Sequence, residues 1–175
     1  MSIPPLMQDI VVTLLGSDRP GLVESIATHV RNLGGNWTDS RLCRLGGQFA
    51  GILRISLPAD RLTEWDTAVA SLRERGMEIN QTRNDSTPTT PGRTARFELL
   101  GQDQPGIIQR IASVWAAHHI NVEEMTTLCR PAPWTGENLF EATATVTIPN
   151  TCDTHVVQQD LEAIASDLMV DINFQ

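Results

Sequence analysis

Two short segments hold carboxylate, proline and glycine in the same order. Leu14-Leu15-Gly16-Ser17-Asp18-Arg19-Pro20-Gly21 returns 85 positions later as Leu99-Leu100-Gly101-Gln102-Asp103-Gln104-Pro105-Gly106. Each Gly-x-Asp-x-Pro-Gly turn follows an apolar strand-like run and precedes an apolar helix-like run. A helix start exposes N–H groups without partners and carries partial positive charge, so it can take a carboxylate. Asp18 and Asp103, one turn earlier, are placed to hold an ammonium group. The pair of functions describes a site for a free α-amino acid.

Gly16 and Gly101 would supply an unusual backbone angle or a close approach at the strand exit. Pro20 and Pro105 suit a first helical turn, where the missing N–H is no loss, and Gly21 and Gly106 follow them. Asn36 and Asn121 each come 15 positions after Gly21 and Gly106, and Asn can both donate to and accept from a zwitterion. Both acids also suit ordinary helix caps, and both Asn suit turn positions. The residues alone leave those alternatives open.

Other chemistry has less to stand on. The chain has no Lys, which removes Schiff-base chemistry and the lysine of a phosphate-binding loop. There is no nucleophile elbow, zinc-type Cys spacing or dinucleotide fingerprint. His118 and His119 are adjacent, and adjacent side chains on a helix diverge, unlike a ligand pair four apart. No metal site, cofactor or catalytic residue is expected. Cys43 and Cys129 sit in two Leu-Cys-Arg tripeptides and read as equivalent, small, buried strand residues. With Cys152, and without a signal-type start, they suit reduced thiols in a cytoplasm. Trp37, Trp65 and Trp115 read as packing residues, and Trp134 as the aromatic best placed to touch a partner.

The formal charge is −8, with no basic footprint for gripping nucleic acid. No stretch approaches the ~20 apolar residues that span a bilayer. Neither nucleic acid nor membrane is an expected partner.

The elements that must carry these residues also repeat. A strand is expected over Gln8 to Leu15, a helix from Pro20 to Leu33, and a hairpin over Asn36 to Arg44 and Gln48 to Leu57. A helix capped by Asp60 and a strand over Met77 to Arg83 complete the first module. The second repeats the order: strand Thr94–Leu100, helix Pro105–His118, strands Asn121–Arg130 and Leu139–Ile148, a helix from about Asp153 to Ser166, and strand Leu168–Phe174. The domain division expected is 1–84, a Pro-, Ser- and Thr-rich linker over 85–93, and 94–175. Each module is βαββαβ, an α+β ferredoxin-like unit with a four-stranded antiparallel sheet and two helices on one face.

Alternation assigns the faces. Phe97, Leu99, Ala142, Ala144 and Val146 face the helices, whereas Arg96, Glu98, Glu141 and Thr143 face away. The outward positions of module one include Val11, Leu15, Ala50 and Ile52. That more apolar face implies cover by a partner or a second copy. A module of about 85 residues buries only roughly 60–65% of its unfolded surface, so packing of the two modules together, or dimerisation, is expected, and a homo-oligomer is the partner state favoured.

Asp-Arg-Pro-Gly-Leu-Val and Asp-Gln-Pro-Gly-Ile-Ile, with Leu-Gly-Gly-Asn-Trp and His-His-Ile-Asn-Val, resemble the ACT domain in two tandem copies. A bare pair of this length is similar to the glycine cleavage system transcriptional repressor group. The resemblance implies amino-acid binding at interfaces between ACT domains, with contacts from the turn after the first strand and from the start of the second. Carried over, those positions are Gly16, Asp18, Gly21 and Asn36, and Gly101, Asp103, Gly106 and Asn121. Many such sites carry Asn where Asp18 and Asp103 stand, a departure that favours a cationic ligand group.

The resemblance thus implies a non-catalytic, amino-acid-sensing regulator that acts on glycine cleavage genes through protein contact. The ligand implied is a small amino acid, glycine among the candidates, and the partner implied is a LysR-type transcription factor. A regulatory subunit of an amino-acid metabolic enzyme fits the same ligand logic. RNA binding shares the βαββαβ topology, but the acidic balance and the lack of outward stacking aromatics oppose it.

Overall fold

The computed structural model describes residues 5–83, 91–132 and 138–174. The chain divides into two compact units, one ending at Thr87 and the other starting at Pro88. The first unit contains β1 (Met7–Ser17), α1 (Leu22–Asn32), β2 (Asn36–Leu45), β3 (Gln48–Pro58), a 3-10 turn (Ala59–Arg61), α2 (Leu62–Glu74) and β4 (Met77–Arg83). The second contains β5 (Gly92–Gln102), α3 (Ile107–Ala117), β6 (Asn121–Pro131), β7 (Asn138–Pro149), α4 (Thr154–Leu168) and β8 (Val170–Phe174). The sheets are antiparallel, ordered β2-β3-β1-β4 and β6-β7-β5-β8. This is the ferredoxin-like α+β unit expected, built twice.

Alternation sets each core. Ile10, Val12 and Leu14 of β1 and Leu53, Ile55 and Leu57 of β3 are buried under Leu22, Ile26 and Val30 of α1 and Trp65, Val69 and Leu72 of α2. Module two buries Phe97, Leu99, Ala142, Ala144 and Val146 under Ile107, Ile111 and Trp115 of α3 and Val157 and Leu161 of α4. Each buried Val, Leu, Ile or Phe side chain contributes about 1.5–3 kcal/mol on leaving water. Trp115 meets Phe97 edge-on, with ring centroids 4.9 Å apart. Trp65 is buried, and its indole N–H donates to Gln81 Oε1 at 2.7 Å. Trp134 lies outside the described residues.

Several local expectations are corrected. β1 and β5 run through Gly16 and Gly101 to Ser17 and Gln102, because β3 and β7 supply paired partners that far. The helices consequently start later, at Leu22 and Ile107, so Pro20 and Pro105 precede the helix rather than open it. Asp60 lies in the 3-10 turn, and α2 starts after Arg61 without a side-chain cap. By contrast, Asp153 Oδ1 does cap α4, accepting from the His155 backbone N–H at 3.0 Å.

The two Leu-Cys-Arg tripeptides are not equivalent. Cys43 pairs with Ala50 on the open face, whereas Cys129 pairs with Phe140 on the helix side. Register matches Cys129 with Arg44, which pairs with Phe49. Both thiols are exposed rather than buried, because β2 and β6 are edge strands beyond the cover of the helices.

Candidate functional site

The turn between β1 and α1 is built around Gly21, and that between β5 and α3 around Gly106. Each is the residue just before its helix, with φ of 88° and 91°. That left-handed conformation costs an L side chain roughly 1–2 kcal/mol, so glycine is required here for backbone reasons. A Cβ on Gly106 would meet nothing within 4 Å, which separates the angle from crowding. Gly16 and Gly101 are the opposite case, with no positive φ. A Cβ on Gly101 would lie 2.7 Å from Val170 Cβ and closer still to its Cγ1, and one on Gly16 3.3 Å from the Gly76 carbonyl. Close approach, not an unusual angle, explains these two.

Neither helix start has a side-chain cap. Asp18 and Asp103 therefore do not serve as caps, and their carboxylates point elsewhere. Their backbone N–H groups donate to the neighbouring hairpins, Asp18 to Gly47 O and Asp103 to Asn138 O, both at 2.9 Å. The side chains reach the same structural position on β2 and β6. Arg44 Nε lies 2.5 Å from Asp18 Oδ2. In module two the residue there is Cys129, whose Sγ donates to Asp103 Oδ2 at 3.4 Å. Local desolvation at the turn, then the hydrogen bond to Asp103 and its charge, push the otherwise exposed Cys129 thiol above the usual range.

The consequence is electrostatic. Asp18 already has a guanidinium partner, whereas among the described residues Asp103 has only a weakly donating thiol. Arg130, next along β6, is directed to Glu141 instead. A cationic group arriving at Asp103 meets a carboxylate with no cation to displace.

The second residue of each motif gap holds the turn in place. Arg19 Nη2 donates to the Arg75 carbonyl, and Gln104 Nε2 to the Leu168 carbonyl, both at 3.0 Å. These carbonyls lie at the ends of α2 and α4, where helix C=O groups lack internal partners. Sequence reasoning overlooked Arg19, Gln104, Arg44 and Cys129. A usable signal existed for the first pair, since both are long side chains able to donate.

Asn36 and Asn121 do not join the acids of their own modules. Asn36 pairs with Ser56, which pairs with Asp9 at the start of β1, whereas Asp18 follows its far end. At about 3.3 Å per residue, roughly 30 Å of strand separates them. Asn121, Thr147 and Thr94 repeat this arrangement against Asp103. Antiparallel register therefore sets the Asp and the Asn at opposite ends of the sheet within each module. Asn121 Nδ2 donates to Glu123 Oε1 at 2.8 Å. That bond, followed by one from Thr147, holds the Glu123 carboxyl below its ordinary range.

His118 Nε2 lies 2.8 Å from Asp160 Oδ2. Among the described residues no cluster of three His, Cys, Asp or Glu side chains could hold a metal ion. No helix of the described residues is long and apolar enough to cross a membrane.

Residues 8–80 match the family model of the ACT domain. The chain is 29% identical over 164 residues to the glycine cleavage system transcriptional repressor of Escherichia coli (strain K12), covering 91% of this chain and 85% of that protein. Among solved structures, an unknown protein from Galdieria sulphuraria matches with a TM-score of 0.89 at 30% identity, over 97% of this chain and 98% of that one. A protein provisionally named as a glycine cleavage system transcriptional repressor matches with a TM-score of 0.68 at 20% identity, over 97% of each chain, a likeness of fold alone.

Proposed function

We propose that this chain, a tandem ACT-domain protein, is a non-catalytic regulator that binds a small amino acid and signals by protein contact. The observation that carries the reading is the turn at Asp103. It offers an uncapped helix start for a carboxylate and an acid whose register-equivalent neighbour is a thiol instead of the guanidinium seen at Asp18. Module two is accordingly the working site and module one the weaker.

The likeness to a glycine cleavage system transcriptional repressor makes glycine the first amino acid to test. It also makes a DNA-binding activator of LysR type the first partner to test, in the cytoplasm. Binding can transmit a signal only by favouring one conformation or association state over another.

Calorimetry of the full chain against a panel of free amino acids tests this. We expect glycine or another small amino acid to bind, with affinity falling about tenfold or more in Asp103→Asn, the scale of a lost charged hydrogen bond. Asp18→Asn should have the smaller effect. Absence of heat at millimolar ligand, or greater sensitivity to Asp18→Asn, overturns the reading. Capture of a biosynthetic enzyme rather than a transcription factor would overturn the assigned partner.

A further inference from the structure

A small cavity opens in module one between α2, the start of β1 and the end of β4. Its volume is about 120 Å³, and Ile10, Leu62, Trp65, Asp66, Gln81 and Arg83 line it. Antiparallel register sets Ile10 opposite Arg83 and Val12 opposite Gln81, so Arg83 and Gln81 stand on the helix side of the sheet. Leu62, Trp65 and Asp66 come from one stripe of α2, at the three- and four-residue spacing of a helix face. Ile10 and Trp65 are buried and form an apolar floor, whereas Asp66, Gln81 and Arg83 are exposed at the rim.

The polar side chains are ordered in sequence. The Trp65 indole N–H donates to Gln81 Oε1 at 2.7 Å, which turns the amide so that Gln81 Nε2 donates to Asp66 Oδ1 at 2.5 Å. The neutral amide orients the Asp66 carboxylate without supplying a counter-charge. Among the described residues no ion pair joins Asp66 to Arg83, although both border the cavity. Module two fills the equivalent place with a ring. Phe174 pairs with Phe97 as Gln81 pairs with Val12, and Phe174 packs against the core of its module. Having Gln81 there gives up apolar packing, and the arrangement gained is an oriented acid beside an open space.

Size and charge define the occupant. An apolar cavity of ~150 Å³ takes benzene, so this one has room for about five non-hydrogen atoms. Asp66 requires a cationic group and Arg83 an anionic one, and the two charges together fit a molecule of no net charge. We propose that the α2–β4 cavity of module one binds a small zwitterion of glycine or alanine size, its ammonium on Asp66 and its carboxylate on Arg83. The site lies beside Ile10, roughly 25 Å along β1 from Asp18. It stands independently of the Asp103 turn and of the function proposed for that turn.

The Trp65 indole N–H bonds the amide that orients Asp66, so its nuclear magnetic resonance signal reports on the cavity directly. Glycine titrated into the isotope-labelled full chain should shift that signal saturably at millimolar concentration, since exposed charges each contribute little. The shift should persist in Asp103→Asn. Asp66→Asn and Arg83→Gln, both at exposed positions, should each weaken the apparent affinity about fivefold. Gln81→Phe, which installs the residue of module two, should abolish the response, with its melting curve as the check on folding. Methylammonium and acetate each carry one of the two charges and should bind more weakly than glycine. No saturable shift up to tens of millimolar glycine, or loss of the shift in Asp103→Asn, overturns the proposal. So does affinity unchanged in both Asp66→Asn and Arg83→Gln, or methylammonium binding as tightly as glycine.

Discussion

Cys129 of β6 occupies the place in module two that Arg44 of β2 occupies in module one. Each reaches the acid of the adjacent turn, Arg44 to Asp18 at 2.5 Å and Cys129 to Asp103 at 3.4 Å. One acid is matched by a cation and its twin by a thiol, so two near-identical turns differ in what they can offer a ligand.

This difference can be transplanted. In Cys129→Arg the guanidinium should neutralise Asp103 as Arg44 does Asp18. We expect amino-acid affinity to fall about tenfold or more by calorimetry. Stability should change by less than about 1 kcal/mol, because exposed ion pairs contribute little. Unchanged affinity would remove Asp103 from the ligand site.

The thiol offers a separate readout. With the Cys129 pKa raised by local desolvation and by Asp103, the protonated form is favoured in the folded state. Its stabilising share is complete below the ordinary thiol pKa of about 8.5 and is lost as pH rises through the folded value. Alkylation of Cys129, followed by peptide mapping at mildly alkaline pH, should therefore accelerate in Asp103→Asn. An equal or slower rate would show that the carboxylate does not hold the thiol proton.

The sheets and cores were legible because alternating apolar residues report which face is buried. Ile10, Val12 and Leu14 needed nothing beyond their order. The turn chemistry was legible in composition but not in placement. Nothing in the spacing reveals that β1 continues through Gly16, or that the left-handed residue is Gly21. Strand register, invisible in a single sequence, puts Asn36 level with Asp9, at the far end of β1 from Asp18. The Leu-Cys-Arg repeat misled because identical tripeptides lie one residue out of structural register, which concealed the match of Cys129 with Arg44.

The motif glycines should respond differently to alanine. Gly101→Ala drives a Cβ to 2.7 Å from Val170 Cβ and closer still to its Cγ1, a branched side chain with little room to yield. We expect overpacking to cost about 1–3 kcal/mol in chemical denaturation. Gly16→Ala, whose nearest contact is 3.3 Å, should cost less than half of that. Equal costs would contradict the crowding assigned to β8.

Module two also carries residues in left-handed conformations where module one has glycine. His119, with φ of 55°, follows α3 as Gly34, with φ of 71°, follows α1. Met169, with φ of 52°, follows α4 immediately before β8, and Gly76, with φ of 87°, precedes β4. A side chain in this region costs roughly 1–2 kcal/mol, partly offset in a glycine variant by greater freedom of the unfolded chain. Met169 is 81% exposed, so removing its side chain gives up little packing. Met169→Gly should therefore stabilise the protein by about 0.5–1 kcal/mol in denaturant titration. His119→Gly should gain less, because His tolerates this region better than most residues. A loss of stability in Met169→Gly would mean that its side chain makes contacts worth more than the strain it imposes.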